Sequence, residues 1–157
     1  MNQEEIQKLT DRLRRLCSRR EYCVSDVMKK AVTALEGDSE AAGKVVAILI
    51  AEKYVDDLRY ATAYAREKAM ISGWGETKIK YMLSAKGISR DIISQALTQI
   101  DSHRAESRLQ KLLENKYRTL KDDPQWKLKL IRFALGRGYS YDQVNDCISD
   151  INKTKDQ

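Results

Sequence analysis

Few residues in this chain of 157 have the types and spacing that covalent chemistry needs. His103 is the sole histidine, and no nucleophile, metal-ligand cluster or phosphate-cradling glycine loop accompanies it. It lies near a helix start, where an exposed, non-catalytic role is expected. Cys17, Cys23 and Cys147 cannot all pair within one chain and lack zinc-knuckle spacing. With no signal peptide or long apolar run, they read as reduced thiols of a soluble cytoplasmic protein. Asp56 and Asp57 are adjacent, so their side chains diverge along a helix start. A short carboxylate there accepts from the orphan amides of the first turn, so capping explains the pair better than acid–base catalysis. Gly73-Trp74-Gly75 is too short to hold a nucleotide and reads as a turn presenting one aromatic ring. No enzymatic activity, cofactor, metal, membrane or small-molecule substrate is expected.

What the chain does carry is positive charge. Its 29 Lys and Arg outnumber 23 Asp and Glu, a net charge of +6 that attracts polyanions or acidic protein surfaces. The distribution matters more than the sum. Arg12, Arg14, Arg15, Arg19 and Arg20 crowd one segment against the single Asp11. Arg59 and Arg66 lie a heptad apart, and Arg104, Arg108 and Lys111 share the outer face of a later helix with Lys116 and Arg118. The partner-binding candidates are Arg12, Arg15, Arg19, Arg20, Arg59, Arg66, Arg104, Arg108 and Lys111, with Trp74 as the aromatic contact. Tyr60, Tyr64, Tyr81, Trp126 and Phe133 recur at helical spacing and are expected in the core.

These groups must be positioned by helices. Gly and Pro are scarce, and Lys, Arg, Leu, Ala and Glu favour helix almost throughout. Apolar periodicity predicts nine helices. The first spans Glu4 to Arg20 on a stripe of Ile6, Leu9, Leu13 and Leu16. Ser25 is the expected cap of the second, which Gly37 ends, and Ser39 opens a third that is apolar nearly all round (Val45, Val46, Ile48, Leu49, Ile50). Asp56 or Asp57 caps the fourth, with Leu58, Ala61 and Ala65 as a stripe narrow enough for close packing; with Asp56 as the cap, Val55 and Tyr60 form a hydrophobic staple. The fifth starts at Glu76 and carries Ile79, Met82 and Leu83, and the sixth follows Ser89. The seventh runs from about His103 to Leu120. Asp123-Pro124 starts the eighth, whose apolar residues include Trp126, Leu128, Leu130 and Leu135. The ninth follows Ser140 in a capping box with Gln143, and the tail from Asn152 is expected to fray.

A repeat runs through this pattern. Lys86-Gly87-Ile88-Ser89 and Arg137-Gly138-Tyr139-Ser140 both read basic residue, Gly, apolar residue, cap. Gly138 follows Gly87 by 51 residues and Gly87 follows Gly37 by 50. The first turn matches least, since Asp38 stands where the others have an apolar residue. The expected fold is all-α, with three tandem three-helix repeats in helix-turn-helix-like units at 1–53, 54–101 and 102–157. The last helix of each trio starts with an acid in its first turn, which argues for packing and against insertion into a DNA groove.

With those residues in order, the chain resembles the RecX family of regulators of the RecA recombinase. The resemblance rests on Arg19-Arg20-Glu21-Tyr22, on Tyr54 to Ala61 with Tyr64 and Arg66, and on Gly73-Trp74-Gly75. It continues through Ile79, Leu83, Lys86-Gly87-Ile88, Ala96-Leu97, Lys129 to Leu135 and Arg137 to Ser140. Two positions depart from the family pattern: Lys53 replaces the usual Gly before Tyr54, and Glu76 replaces a common Pro. The resemblance implies an elongated, curved stack of the three repeats that binds the RecA–DNA filament in its helical groove. It further implies suppression of strand exchange, ATP turnover and coprotease activity, with DNA reached through phosphates as part of the filament. A stand-alone DNA-binding protein without sequence preference is the alternative.

Overall fold

The computed structural model describes residues 2–155, and among these it has nine α-helices and no strand. They are α1 (Gln3–Arg19), α2 (Val24–Ala34), α3 (Ser39–Ala51), α4 (Asp57–Met70), α5 (Glu76–Ala85), α6 (Arg90–Leu97), α7 (Ser102–Leu120), α8 (Trp126–Gly136) and α9 (Tyr141–Lys155). The helix α9 runs past Asn152 to Lys155, and residues 156–157 of the expected tail lie outside the described residues. The chain divides into two compact units. One runs up to Ala63 and includes Leu83–Ala96; the other comprises Tyr64–Met82 and the chain from Leu97 onward. The division passes through α4, α5 and α6.

In the first unit the stripe of α1 buries Leu9 and Leu13, with Ile6 and Leu16 partly covered, against Val27, Ala31 and Leu35 of α2 and Ala42, Val45, Val46 and Leu49 of α3. Thr10 joins this core because its hydroxyl donates to the Ile6 carbonyl at 2.8 Å. Two expectations fail here. Ile48 and Ile50 are 41% and 45% exposed, because α3 meets neighbours on one side only. Leu58 is exposed too; Val55 and Ala61 are the buried residues at the start of α4.

In the second unit Leu109 and Leu113 pack with Trp126, Leu130 and Ala134 of α8 and Val144, Cys147, Ile148 and Ile151 of α9. Leu128 and Leu135 of α8 and Met82 of α5 are exposed apolar side chains. Tyr81 is 72% exposed and is not core; Trp126 is buried, and Phe133, Tyr60 and Tyr64 are half-buried. Helix α8 begins at Trp126, later than expected, and its cap position Gln125 makes no side-chain cap bond. Asp123 instead accepts from the Gln125 amide at 2.8 Å and pairs with Lys129.

Four helices end in the same left-handed turn. After α2, α3, α5 and α8 the residues Glu36, Lys53, Gly87 and Gly138 have φ of 56°, 63°, 76° and 95°. In each case the next amide donates back five residues: Gly37 to Val32, Tyr54 to Leu49, Ile88 to Leu83 and Tyr139 to Ala134. This is the Schellman arrangement, which satisfies carbonyls that a helix end leaves open. It also corrects the register of the first repeat. Glu36, not Gly37, is equivalent to Gly87 and Gly138, and the period is 51 residues in both steps. The caps fall into line: Asp38 accepts from Ala41, Ser89 from Ile92 and Ser140 from Gln143. Asp38 therefore caps α3 in place of Ser39, and Gly37 occupies the slot that Ile88 and Tyr139 fill with buried apolar side chains.

The two glycine turns dock on helix starts. In the first unit the Ser25 hydroxyl donates to the Lys86 carbonyl at 2.6 Å, and the Lys86 ammonium meets Asp26 at 3.0 Å. Ser25 is thus not the cap of α2. That role falls to Asp57, which accepts from the Val24 amide at 2.8 Å, while Asp56 caps its own helix through the Arg59 amide at 3.0 Å. The paired aspartates cap two different helices. In the second unit the Arg137 and Gly138 carbonyls accept from the Gly75 and Thr77 amides at 2.8 and 3.1 Å. A Cβ on Gly138 would fall 2.4 Å from Lys78 Cβ and 2.6 Å from Lys78 N; one on Gly75 would fall 2.3 Å from the Gly138 oxygen.

Three consequences are measurable by urea unfolding. Lys53 is an exposed non-glycine residue in the left-handed region, so Lys53→Gly is expected to stabilise the protein by about 1 kcal/mol, strain relief outweighing the added unfolded-state entropy. An unchanged or lowered midpoint would contradict that account of the turn. Gly138→Ala meets backbone atoms as well as unfavourable φ and is expected to cost about 2 kcal/mol or more. The third concerns pH. Burial raises the Asp26 pKa, but the Lys86 and Cys23 hydrogen bonds outweigh it and leave the carboxyl below its ordinary value. Lys86 is raised, chiefly by its bond to Asp26. The Asp26 contribution is present above the unfolded carboxylate value of about 3.9 and is lost as pH falls through the folded one; that of Lys86 is lost as pH rises beyond about 10.4. The stability gap between the native protein and Asp26→Asn should close at both extremes, and a constant gap would contradict it.

Candidate functional site

The cations anticipated as contacts separate by what holds them. Arg59 is exposed, yet its guanidinium pairs with Glu21 and donates to the Lys53 and Tyr54 carbonyls at 3.0 and 3.2 Å. The Glu21 hydrogen bond, opposed by partial burial, raises its pKa. It is a clasp between the α1–α2 connection and the start of α4. Arg14 is likewise engaged, by both oxygens of Glu52 at 2.8 and 2.9 Å and by Asp11 at 2.8 Å. Arg12, Arg15 and Arg19 stay exposed, with no ion pair among the described residues. A shallow cleft lined by Arg12, Leu16, Lys29, Lys30 and Thr33 adds two lysines of α2 to this surface. Sequence reading missed them because the α1–α2 packing that brings them beside Arg12 is non-local. Arg20 is exposed and lies with its guanidinium carbon 4.5 Å from the Tyr22 ring centre.

The second unit gathers the remaining candidates. Arg66, Met70, Ile71, Ile100 and Arg104 line a cleft of about 520 Å³, together with Glu67, Gln99 and Asp101. Adjoining it, Met70, His103, Arg104, Ser107, Arg108 and Lys111 line a shallower one. Arg66, Arg104, Arg108 and Lys111 thus form a single basic region, and His103 is exposed as expected. Asp101 is committed to capping α7 through the His103 and Arg104 amides at 3.0 and 3.3 Å.

The loop before α5 is fixed from the same side. Arg108 donates to the Ile71 carbonyl at 3.1 Å, Arg137 to Ser72 at 2.9 Å and the buried Tyr139 hydroxyl to Gly73 at 3.0 Å. Trp74 is half-buried, meets Tyr64 edge-on at 6.3 Å between ring centres, and carries the Lys78 and Lys68 ammoniums at 4.3 and 4.8 Å from its own ring centre. These two lysines are a further site feature that sequence spacing did not single out. Trp74 is a seat for cations more than a bare ring.

This arrangement presents positive charge that can bind anions. No group of three His, Cys, Asp or Glu able to hold a metal occurs among the described residues. The three thiols are free and buried. Burial pushes each pKa up, that of Cys147 to about 11 with help from Asp150 and Asp146, so all are poor nucleophiles at neutral pH. No described helix is long and apolar enough to cross a membrane.

Comparison with known proteins places the chain. The family model for the second three-helix domain of RecX matches residues 56–97, and that for the third matches 105–148. A "Regulatory protein RecX" from Vibrio parahaemolyticus is 33% identical over 138 residues, 85% of each chain. One of the same name from Clostridium botulinum is 32% identical over 117 residues, 72% of this chain and 54% of its own length. This chain thus spans about half the length of its clostridial relatives. In fold it is similar to the crystal structure of RecX from Lactobacillus salivarius, with a TM-score of 0.84 and 23% identity over 95% of this chain and 97% of that one. A crystal structure of regulatory protein RecX gives a TM-score of 0.82 and 24% identity, over 93% and 73%. The matched trios and a relative shared over most of both lengths make this chain a member of the RecX family of regulatory proteins.

Proposed function

We propose that this chain, acting in the cytoplasm, regulates the RecA recombinase by binding the RecA–DNA filament, in its helical groove, and inhibits its strand exchange, ATP turnover and coprotease activity. The chain acts by binding and not by catalysis, through three three-helix units at 1–53, 54–101 and 102–157. One observation carries the reading beyond family membership: each compact unit exposes cations without a carboxylate partner among the described residues, Arg12, Arg15 and Arg19 in the first, Arg66, Arg104 and Lys111 in the second. Cations left unpaired meet a partner without first breaking an internal bridge, and their contacts weaken with salt. Arg59 contributes indirectly, by fixing the start of α4.

The test is pull-down on the cognate recombinase filament, with strand-exchange inhibition, at two salt concentrations. Arg12→Glu with Arg15→Glu should weaken inhibition by about tenfold or more at low salt and less at high salt. Both positions are exposed, so the fold should persist. Inhibition by the variant equal to that of the native chain removes α1 from the contact. Tight binding to DNA alone, with no effect on the recombinase, replaces this reading with a stand-alone DNA-binding protein.

A further inference from the structure

Salt bridges and aromatic rings both hold a cation in place, but only the salt bridge neutralises it. A carboxylate cancels the charge it binds, whereas a ring attracts it through its quadrupole and leaves the full charge available outward. In the first unit Tyr22 stands two residues ahead of α2, and the Arg20 guanidinium carbon and Lys30 ammonium lie 4.5 and 5.5 Å from its ring centre. In the second unit Trp74 stands two residues ahead of α5, with Lys78 and Lys68 at 4.3 and 4.8 Å. None of these four cations has a carboxylate within ion-pair distance among the described residues. Two like charges gathered on one ring repel each other, and an external anion relieves that repulsion.

We propose that these two ring-mounted cation pairs are preorganised contacts for the phosphodiester backbone of a nucleic acid. The inference rests on the reading that DNA is part of what this protein binds. Two features favour a phosphate backbone over an acidic protein surface. The device occurs at the same place in successive trios, and a ligand of regularly repeated charge suits a repeated site. The rings also carry cations, so bases do not need to stack on them and the contact is independent of sequence. In the third trio Pro124 stands two residues ahead of α8, and the ring that carries two cations there is Phe133 inside that helix, with Lys116 and Arg137 each 5.1 Å from its centre.

Binding of a fluorescein-labelled single-stranded oligonucleotide to the full chain, followed by anisotropy over a salt series, tests this. A poly-glutamate chain of similar charge is the second probe. Lys68→Gln/Lys78→Gln should weaken oligonucleotide binding and flatten log K against log salt by about 1.4, at about 0.7 per lost phosphate contact on a single strand. Arg20→Gln/Lys30→Gln gives the same readout at exposed positions where folding is not at stake. Trp74→Leu retains both charges, so it should keep the slope and lose affinity several-fold. Unchanged slopes in both double variants overturn the proposal, and so does an equal loss of poly-glutamate binding. Strand-exchange inhibition by the unaltered chain decides the proposed function separately, because it does not depend on these four residues being phosphate contacts.

Discussion

In the second unit the approach of Gly138 to Gly75 excludes a side chain on either residue, and much of the local structure follows from that closeness. The turn that ends α8 is brought against the start of α5, where the Arg137 and Gly138 carbonyls accept amide protons that a helix start would leave to solvent. In the first unit the turn ending α5 meets the start of α2 on the same principle, with the Ser25 hydroxyl as donor to the Lys86 carbonyl. The basic residue before each glycine has a double role. Its carbonyl receives the helix start, and its side chain reaches back, Lys86 to Asp26 and Arg137 to the Ser72 carbonyl. The apolar residue after each glycine, Ile88 or Tyr139, then turns inward and is buried. The left-handed turn thus fixes a docking contact, a buried anchor and a cap within four residues.

That docking also decides how charge is left over. Arg14, Arg59 and Lys86 spend their charge on Glu52, Glu21 and Asp26. Arg108 and Arg137 bond to backbone carbonyls, which orient a guanidinium without neutralising it. Lys68, Lys78, Arg20 and Lys30 lie over rings, with the same outcome. The protein therefore orders many of its cations while keeping them charged. Ordered cations lose less side-chain entropy on meeting a partner than free ones do, which favours affinity without new contacts.

The helices and the local caps were legible because their signals act over three or four residues. Asp56, Ser89 and Ser140 each bond an amide three residues on, as the capping pattern implies. What escaped was non-local. Asp57 caps a helix 33 residues earlier in the chain, and Ser25 bonds a carbonyl 61 residues later, so neither spacing signals its partner. The first turn is misregistered by sequence because Gly37, itself left-handed at φ 92°, draws the equivalence to Gly87 and Gly138, which Glu36 at φ 56° holds by its hydrogen-bond pattern. Periodicity located apolar stripes but not which stripe meets a neighbour, hence the exposed Ile48, Ile50, Leu58 and Tyr81. The same limit applied to the site. Arg12 and Arg14 are equivalent by composition, and the positions of Asp11 and Glu52 separate a bridged cation from an open one.

The stretch from Tyr54 to Arg66, which carries much of the family resemblance, illustrates a division of labour. Asp56 and Asp57 start two helices, Arg59 clasps the preceding turn, and Ala61 and Ala65 are fully buried. Arg66 is exposed, with no ion pair among the described residues, and it belongs to the basic region of the second unit. Residues that mark the family here mostly build joints. A substitution at Asp57 would uncap α2 and so disturb the Tyr22 seat just ahead of it, without touching any cation. Loss of binding on mutating a family-marking residue is therefore weak grounds for a contact; the discriminating variants are those at cations that the joints leave uncovered.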